Sequence, residues 1–247
     1  MSIETPDELE AMERVGALVA SVLAELRAAV APGVTTGALD ELAARAFKRA
    51  GATSGPADIV GFPGTICISV NEEVVHGVPG RRVLREGDLV TLDVTPLLDG
   101  FCADAAVTVA VGKASPEAAR LIAAADRCLA SAVRAARTGD PLRLIGRATE
   151  RAARSAGATV YAELVGHGVG RTMHEPPSVA NVYEPHVKER MGDGLVLAIE
   201  PMIGLGRPEL VTLDDGWTMA TIDGSLSAHV EHTVIVRPGG GRVLTAA

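Results

Sequence analysis

Leu9, Met12, Val15, Val19, Val22, Leu23 and Leu26 recur at three- and four-residue intervals near the start of the chain, the spacing of one buried face of an α-helix. The pattern predicts a helix over 2–30. Its start signal is "TPDE": Thr5 suits the N-cap, Pro6 the first helical position, and Asp7 and Glu8 the positive end of the helix dipole. The next stretch, "APGVTTGALDELAARAFKRAGA", predicts a turn, a second helix from about Thr36 and a stop at Gly51.

A related arrangement returns in "SPEAARLIAAADRCLASAVRAARTGDPLRLIGRATERAARSAGA": a helix opened by Ser-Pro, a turn with glycine, and a second helix ended by Gly157. An offset of 106 residues carries Gly33 onto Gly139, Leu39 onto Ile145, Arg45 onto Arg151 and one "AGA" onto another. Coincidence between alanine-rich helices is the plain alternative; a duplicated unit predicts two halves facing each other. Strand-like runs follow each helix pair: "TICISV", "DLVTLDVTPLL" and "FCADAAVTVAVG", then "GLVLAIEPMIG", "GWTMATID" and "SAHVEHTVIVR". The order ααβββ, twice, predicts an α+β fold, and no linker separates the halves, so residues 1–247 read as one domain.

With 47% apolar and 22% charged residues, the 247-residue chain has a globular composition. Aromatic residues are only 2% and the net charge is -8, which argues against a nucleic-acid partner. The acidic, amphipathic start is unlike a secretory signal, and no run approaches the length of a membrane span, so a cytoplasmic protein without a membrane partner is expected. Cys67, Cys102 and Cys128 are odd in number and lack C-x-x-C spacing, which argues against a disulfide framework or a zinc knuckle.

Chemistry enters where acids interrupt apolar strands. Asp93 in "LVTLDVT" and Asp104 in "FCADAAVTV" flank the turn dipeptide Asp99-Gly100; closure near Leu98 and Asp99 predicts that they are cross-strand neighbours. Two opposed carboxylates in an apolar sheet repel, and a bridging cation or a shared proton relieves them. Glu200 in "LVLAIEP" and Glu231 in "AHVEHTVIV" have the same setting. A single acid in a strand usually faces solvent, but four of them together with the glycine-flanked His167 of "VGHGVGRTMHEPP" call for a common cause. Oxygen ligands with one imidazole suit Mn, Fe, Co or Zn, and this many carboxylates suit two metals about 3.5–4 Å apart.

Taken with their contexts, "DVT", "DGFCAD", "GHGVG", "IEP" and "EHT", the five residues Asp93, Asp104, His167, Glu200 and Glu231 resemble the type I methionine aminopeptidases, over nearly the whole chain. The short interval from Glu200 to Glu231 leaves no room for the insertion of the type II enzymes, and no zinc-finger extension precedes the "ETPDELEAM" stretch. The resemblance implies a pita-bread (creatinase/aminopeptidase) fold, pseudo-two-fold, with antiparallel sheet covered by two helix pairs. It implies that Asp104 and Glu231 bridge two divalent metals, that Asp93 is bidentate on one, and that His167 and Glu200 bind the other. A bridging water is then activated, with Glu200 taking up its proton.

Further roles follow from the same resemblance. His174 donates to the substrate carbonyl as the oxyanion develops, and His76 in "NEEVVHGVPG" contacts the scissile amide or the intermediate. Phe62, Cys67, Met173 and Trp217 shape the pocket for the first side chain, with Met173 standing where Phe is frequent. Ala105 stands where a threonine commonly braces the ligands. Asn71 and Ser227 match positions that help hold a monovalent cation, although Glu73 replaces a small apolar residue there. His186, His229 and His232 read as ordinary structural or surface residues. The implied activity is removal of N-terminal methionine from nascent chains and peptides, by a monomer, with the ribosome as a partner. A proline-directed aminopeptidase or prolidase, and a non-catalytic peptide-binding module, are the rival readings.

Overall fold

Thr5 closes the first turn of helix α1 (Pro6–Ala29) with a reciprocal box: its hydroxyl accepts from the Glu8 amide, and the Glu8 carboxylate accepts from the Thr5 amide. The computed structural model describes residues 1–246. The helix starts at Pro6 and not at Ser2, because the first residues pair elsewhere: Ser2 bridges to Leu195, and the Ile3 amide donates to the Gly194 carbonyl. Helix α2 (Thr36–Ala50) is capped by the Thr35 hydroxyl and ends at Gly51, whose φ is 73°. Ser115 caps α3 (Pro116–Ala135), and α4 (Arg143–Ser155) is followed by Gly157 at φ 70°.

The repeat holds in three dimensions. Gly33 and Gly139 both turn the chain between helices, with φ of 92° and 84°, values that strain any residue carrying a Cβ. The Gly33 amide donates to Leu84 and the Leu84 amide to Val34; in the other half Gly139 donates to Met191 and Met191 to Asp140. Leu39 and Ile145, matched by the offset, are both buried. One helix pair covers each half. Met12, Val15, Val19, Leu26, Leu39 and Phe47 share a core with Val90, Leu92 and Val94, and Leu121, Ala125, Cys128 and Ile145 share the other with Leu197, Ile199 and Val234. Each fully buried Val, Leu, Ile, Phe or Met among them contributes about 1.5–3 kcal/mol relative to exposure.

In the first half, strands Cys67–Val70, Leu89–Val94 and Ala105–Ala110 form an antiparallel sheet. The second half is richer than three strands: Glu175–Ala180, Val165–Gly168, Val196–Ile199, His232–Ile235 and Arg242–Val243 form a five-stranded antiparallel sheet. The glycine-rich segment around His167 is therefore a strand. Its glycines serve close packing, since a Cβ on Gly166 would collide with the Ala198 carbonyl and one on Gly168 with the Pro176 carbonyl. Cys67, Cys102 and Cys128 are buried free thiols. Among the described residues no helix is long and apolar enough to cross a membrane.

Candidate metal centre and substrate pocket

The hairpin of the first half closes tightly on Asp99 and Gly100, both at positive φ, with Leu98 opposite Phe101. Continued along the ladder, this register sets Asp93 opposite Ala106, so the expectation that Asp93 and Asp104 are directly paired is corrected by two residues. Direct opposition of two carboxylates is avoided, and Asp104 instead sits just before its strand begins at Ala105. Glu231 has the matching place before His232, and Glu200 follows the strand Val196–Ile199. In each half one acid lies near or just past the end of a strand and another just ahead of the strand that pairs with it.

The halves meet where these acids lie. The Glu231 amide donates to the Ala106 carbonyl at 2.9 Å, and Asp104 exchanges two hydrogen bonds with Thr233 Oγ1, at 2.8 Å each way. Thr108 Oγ1 donates to the His229 carbonyl at 2.7 Å and accepts from the His229 amide at 2.9 Å. These cross-half bonds fix the backbone at Asp104 and Glu231, one acid from each half.

Asp93, Asp104, His167, Glu200 and Glu231 line one cavity of about 620 Å³. His167 Nε2 lies 3.3 Å from Glu200 Oε1. Its Nδ1 is 2.9 Å from the Gly168 carbonyl, which only accepts, so Nδ1 carries the proton and Nε2 presents a lone pair to the carboxylates. Burial holds the His167 pKa down to about 4, keeping the ring neutral. Burial and the charges of Asp104 and Asp93 push Glu200 well above the usual carboxylate range, and burial with the charge of Asp104 does the same to Asp93. Burial foremost, with Asp104 and Glu200 beside it, raises Glu231, while burial raises Asp104 to about 6 despite the Thr95 hydroxyl donating at 2.7 Å. Glu231 Oε1 is buried with no hydrogen-bond partner.

Two buried and two half-buried acids that repel one another, an orphaned carboxylate oxygen and an imidazole lone pair fit divalent cations, which would neutralise the cluster and take up the orphaned oxygen. Among the described residues, two groups of donors lie within 4.8 Å of one another: Asp104, His167 and Glu231, and Glu200, His229 and Glu231.

The same cavity holds His76, Phe62, Cys67, Met173, His174 and Trp217. His174 meets His167 edge-on, with ring centroids 4.3 Å apart. His76 adopts a φ of 57°, a left-handed backbone that non-glycine residues seldom hold without a local reason. Phe62 and Trp217 pack as an edge-to-face pair at 5.3 Å, and Cys67 stands directly opposite Asp93 in the sheet. Asn71 and Ser227 do not line this cavity. They form a separate corner, where the Ser227 hydroxyl approaches the carbonyls of Asn71 at 3.0 Å and Glu73 at 3.1 Å.

Three residues escaped the sequence reading. Thr95 braces Asp104, with Thr233, so the hydroxyl missing at Ala105 comes from elsewhere. His229, read as an ordinary residue, is buried with its ring 3.7 Å from Glu200 Oε2 and 3.6 Å from Glu231 Oε2. Its signal was strand parity: two residues before Glu231, it projects toward the same face.

A pita-bread fold whose two halves enclose buried acids and a histidine defines the class, a metallopeptidase. The model of metallopeptidase family M24 matches residues 10–238. The chain belongs to that family, among its methionine aminopeptidases. It is 39% identical over 243 residues to the methionine aminopeptidase of Clostridium perfringens, covering 98% of each. The crystal structure of methionine aminopeptidase from Thermotoga maritima matches with a TM-score of 0.96 and 36% identity, covering 100% of both chains. The Xaa-Pro dipeptidase of Bacillus anthracis, at 22% identity, shares the fold: its TM-score is 0.79 over 99% of this chain and 62% of that one. The family uses divalent metal.

Proposed function

We propose that residues 1–247 form one catalytic domain that releases N-terminal methionine from peptides and nascent chains. The observation that carries this reading is the convergence of Asp93, Asp104, His167, Glu200 and Glu231 in one cavity whose lining also includes Phe62, Cys67, Met173 and Trp217. Two divalent ions from among Co, Mn, Fe and Zn suit this donor set and would be held by Asp93, Asp104, His167, Glu200 and Glu231. When bound, such ions polarise the scissile carbonyl and make water a better nucleophile near neutral pH.

The chain's own residues do the rest. Phe62, Cys67, Met173 and Trp217 hold the methionine side chain and exclude water. Glu200, once ionised, accepts a proton at its carboxylate. His174 donates a ring N–H to the substrate carbonyl oxygen as negative charge develops, an interaction that favours the transition state over the bound substrate. His76 holds the scissile amide in register. The Asn71 and Ser227 corner is assigned to a monovalent cation, on the convergence of the Asn71 and Glu73 carbonyls at the Ser227 hydroxyl. The protein acts as a cytoplasmic monomer, with the ribosome as the source of its nascent substrates.

The test is substrate profiling of the metal-loaded protein. Met-Ala-Ser is expected to be cleaved, Met-Lys peptides left intact, and Leu or Pro at the first position poorly used. Preference for proline would transfer the chain to the prolidase reading, and no cleavage of any peptide would favour a binding module.

A further inference from the structure

His229 is the one imidazole beside the acids that the proposed reaction does not use. Its side chain is 2% exposed, and neither ring nitrogen has a hydrogen-bond partner. A neutral imidazole always carries one N–H, and a buried donor left unmade is among the more costly defects in a protein interior. The backbone cannot swing the ring away, because both its amide and its carbonyl are held by Thr108 Oγ1.

The direction of the ring is informative. Glu200 stands between two imidazoles: His167 Nε2 lies 3.3 Å from Oε1, and His229 Nε2 lies 3.7 Å from the other oxygen, Oε2. The same His229 nitrogen is 3.6 Å from Glu231 Oε2. It is thus nearly equidistant from one oxygen of each glutamate. At these separations neither contact is yet a hydrogen bond, and a movement of under about 1 Å by either carboxylate closes one.

We infer that His229 is a positioning residue for the metal centre: its Nε2–H is the donor for the Oε2 atoms of Glu200 and Glu231, and turns the remaining oxygens of these carboxylates toward the ions. The inference rests on the metal reading above. His167 would then present a lone pair to the centre, and His229 a proton to the backs of its ligands. Donors of this kind fix ligand orientation, and their loss typically weakens metal affinity by about 10–100-fold.

The experiment compares the wild-type protein with His229→Leu and His229→Gln, using Co(II) as the probe. Titration calorimetry gives affinity, the visible Co(II) absorption reports the ligand set, and thermal melting of the metal-free proteins controls for folding. His229→Leu is expected to lose about 10–100-fold in Co(II) affinity and to lower kcat with KM little changed. His229→Gln, which retains an N–H donor, is expected to restore affinity to within a few fold and to keep the wild-type Co(II) spectrum. Metal-free His229→Leu should melt no lower than wild type, since it removes a buried polar group without partners. Unchanged Co(II) affinity in His229→Leu would overturn the inference. So would a changed spectrum in His229→Gln with affinity lost as in His229→Leu, which would make the ring a direct ligand. A wild-type protein that binds no Co(II) at all would instead sink the metal reading itself.

Discussion

His167 and His174, seven residues apart in sequence, meet edge-on with their rings at 78° and their centroids 4.3 Å apart. The contact sets a ring whose Nε2 faces Glu200 against one that stands beside the open cavity. The two substitutions should therefore separate. His174→Ala is expected to keep metal and to lose about 10²–10³ in kcat, the usual effect of removing one oxyanion donor. His167→Ala is expected to lose metal as well as rate. Metal analysis beside steady-state kinetics checks both, and equal metal loss in the two variants would contradict the assignment.

Thr95 gives a second separation. Its hydroxyl donates to Asp104 Oδ1 at 2.7 Å and fixes the orientation of a carboxylate proposed to hold metal. Thr95→Val should weaken Co(II) binding by about 10–100-fold in calorimetry, while Thr95→Ser keeps the donor and most of the affinity.

Metal loading should displace protons from the acids and not from His167. A raised pKa means that the metal-free folded protein holds its carboxyl protons to higher pH; that is the direction for Asp93, Glu200 and Glu231, and Asp104 stands at about 6. Burial lowers His167 to about 4, so above that pH it is already neutral and has no proton to release. Bound metal requires the ionised acids, so release is large at about pH 6 and shrinks as pH rises through the raised values, while affinity grows over the same range. Calorimetry in buffers of different ionisation enthalpy counts these protons, and release that does not depend on pH would contradict the account.

Met173 is buried and lines the cavity. Met173→Ala should lower kcat/KM for Met-Ala-Ser by roughly 10–200-fold, the range for removing apolar contact from a specificity pocket. Rates for Met, Leu and Phe at the first position would show whether this wall sets the preference.

Gly166 tests the fold beneath the site. A methyl group there would meet the Ala198 carbonyl, so Gly166→Ala should destabilise by about 1–3 kcal/mol and lower the melting temperature by several degrees.

The helices were legible because their signals are local: Thr5 and Ser115 cap where their sequences say, and Gly51 closes α2 in the left-handed conformation. The offset linking Gly33 with Gly139 was legible too, since a turn with positive φ admits few residues besides glycine. Strand detail was less so. The hairpin at Asp99 and Gly100 was recognised, but its register depends on which residues close it, and the assumed closure displaced Asp93 from Ala106 to Asp104. "VGHGVG" resembles a loop because glycine has little intrinsic preference for strands; the cause, the close approach of neighbouring carbonyls, lies in distant residues. The support from Thr95, Thr233 and His229 crosses hairpins or halves and appears only once both have folded.

The most direct test of the metal-centred account follows Met release from Met-Ala-Ser while Co(II) is titrated into chelator-treated protein. The account predicts no release before metal is added, a rise that tracks ion occupancy, and loss of both binding and release in Glu231→Gln. Methionine release that survives complete chelation would contradict it.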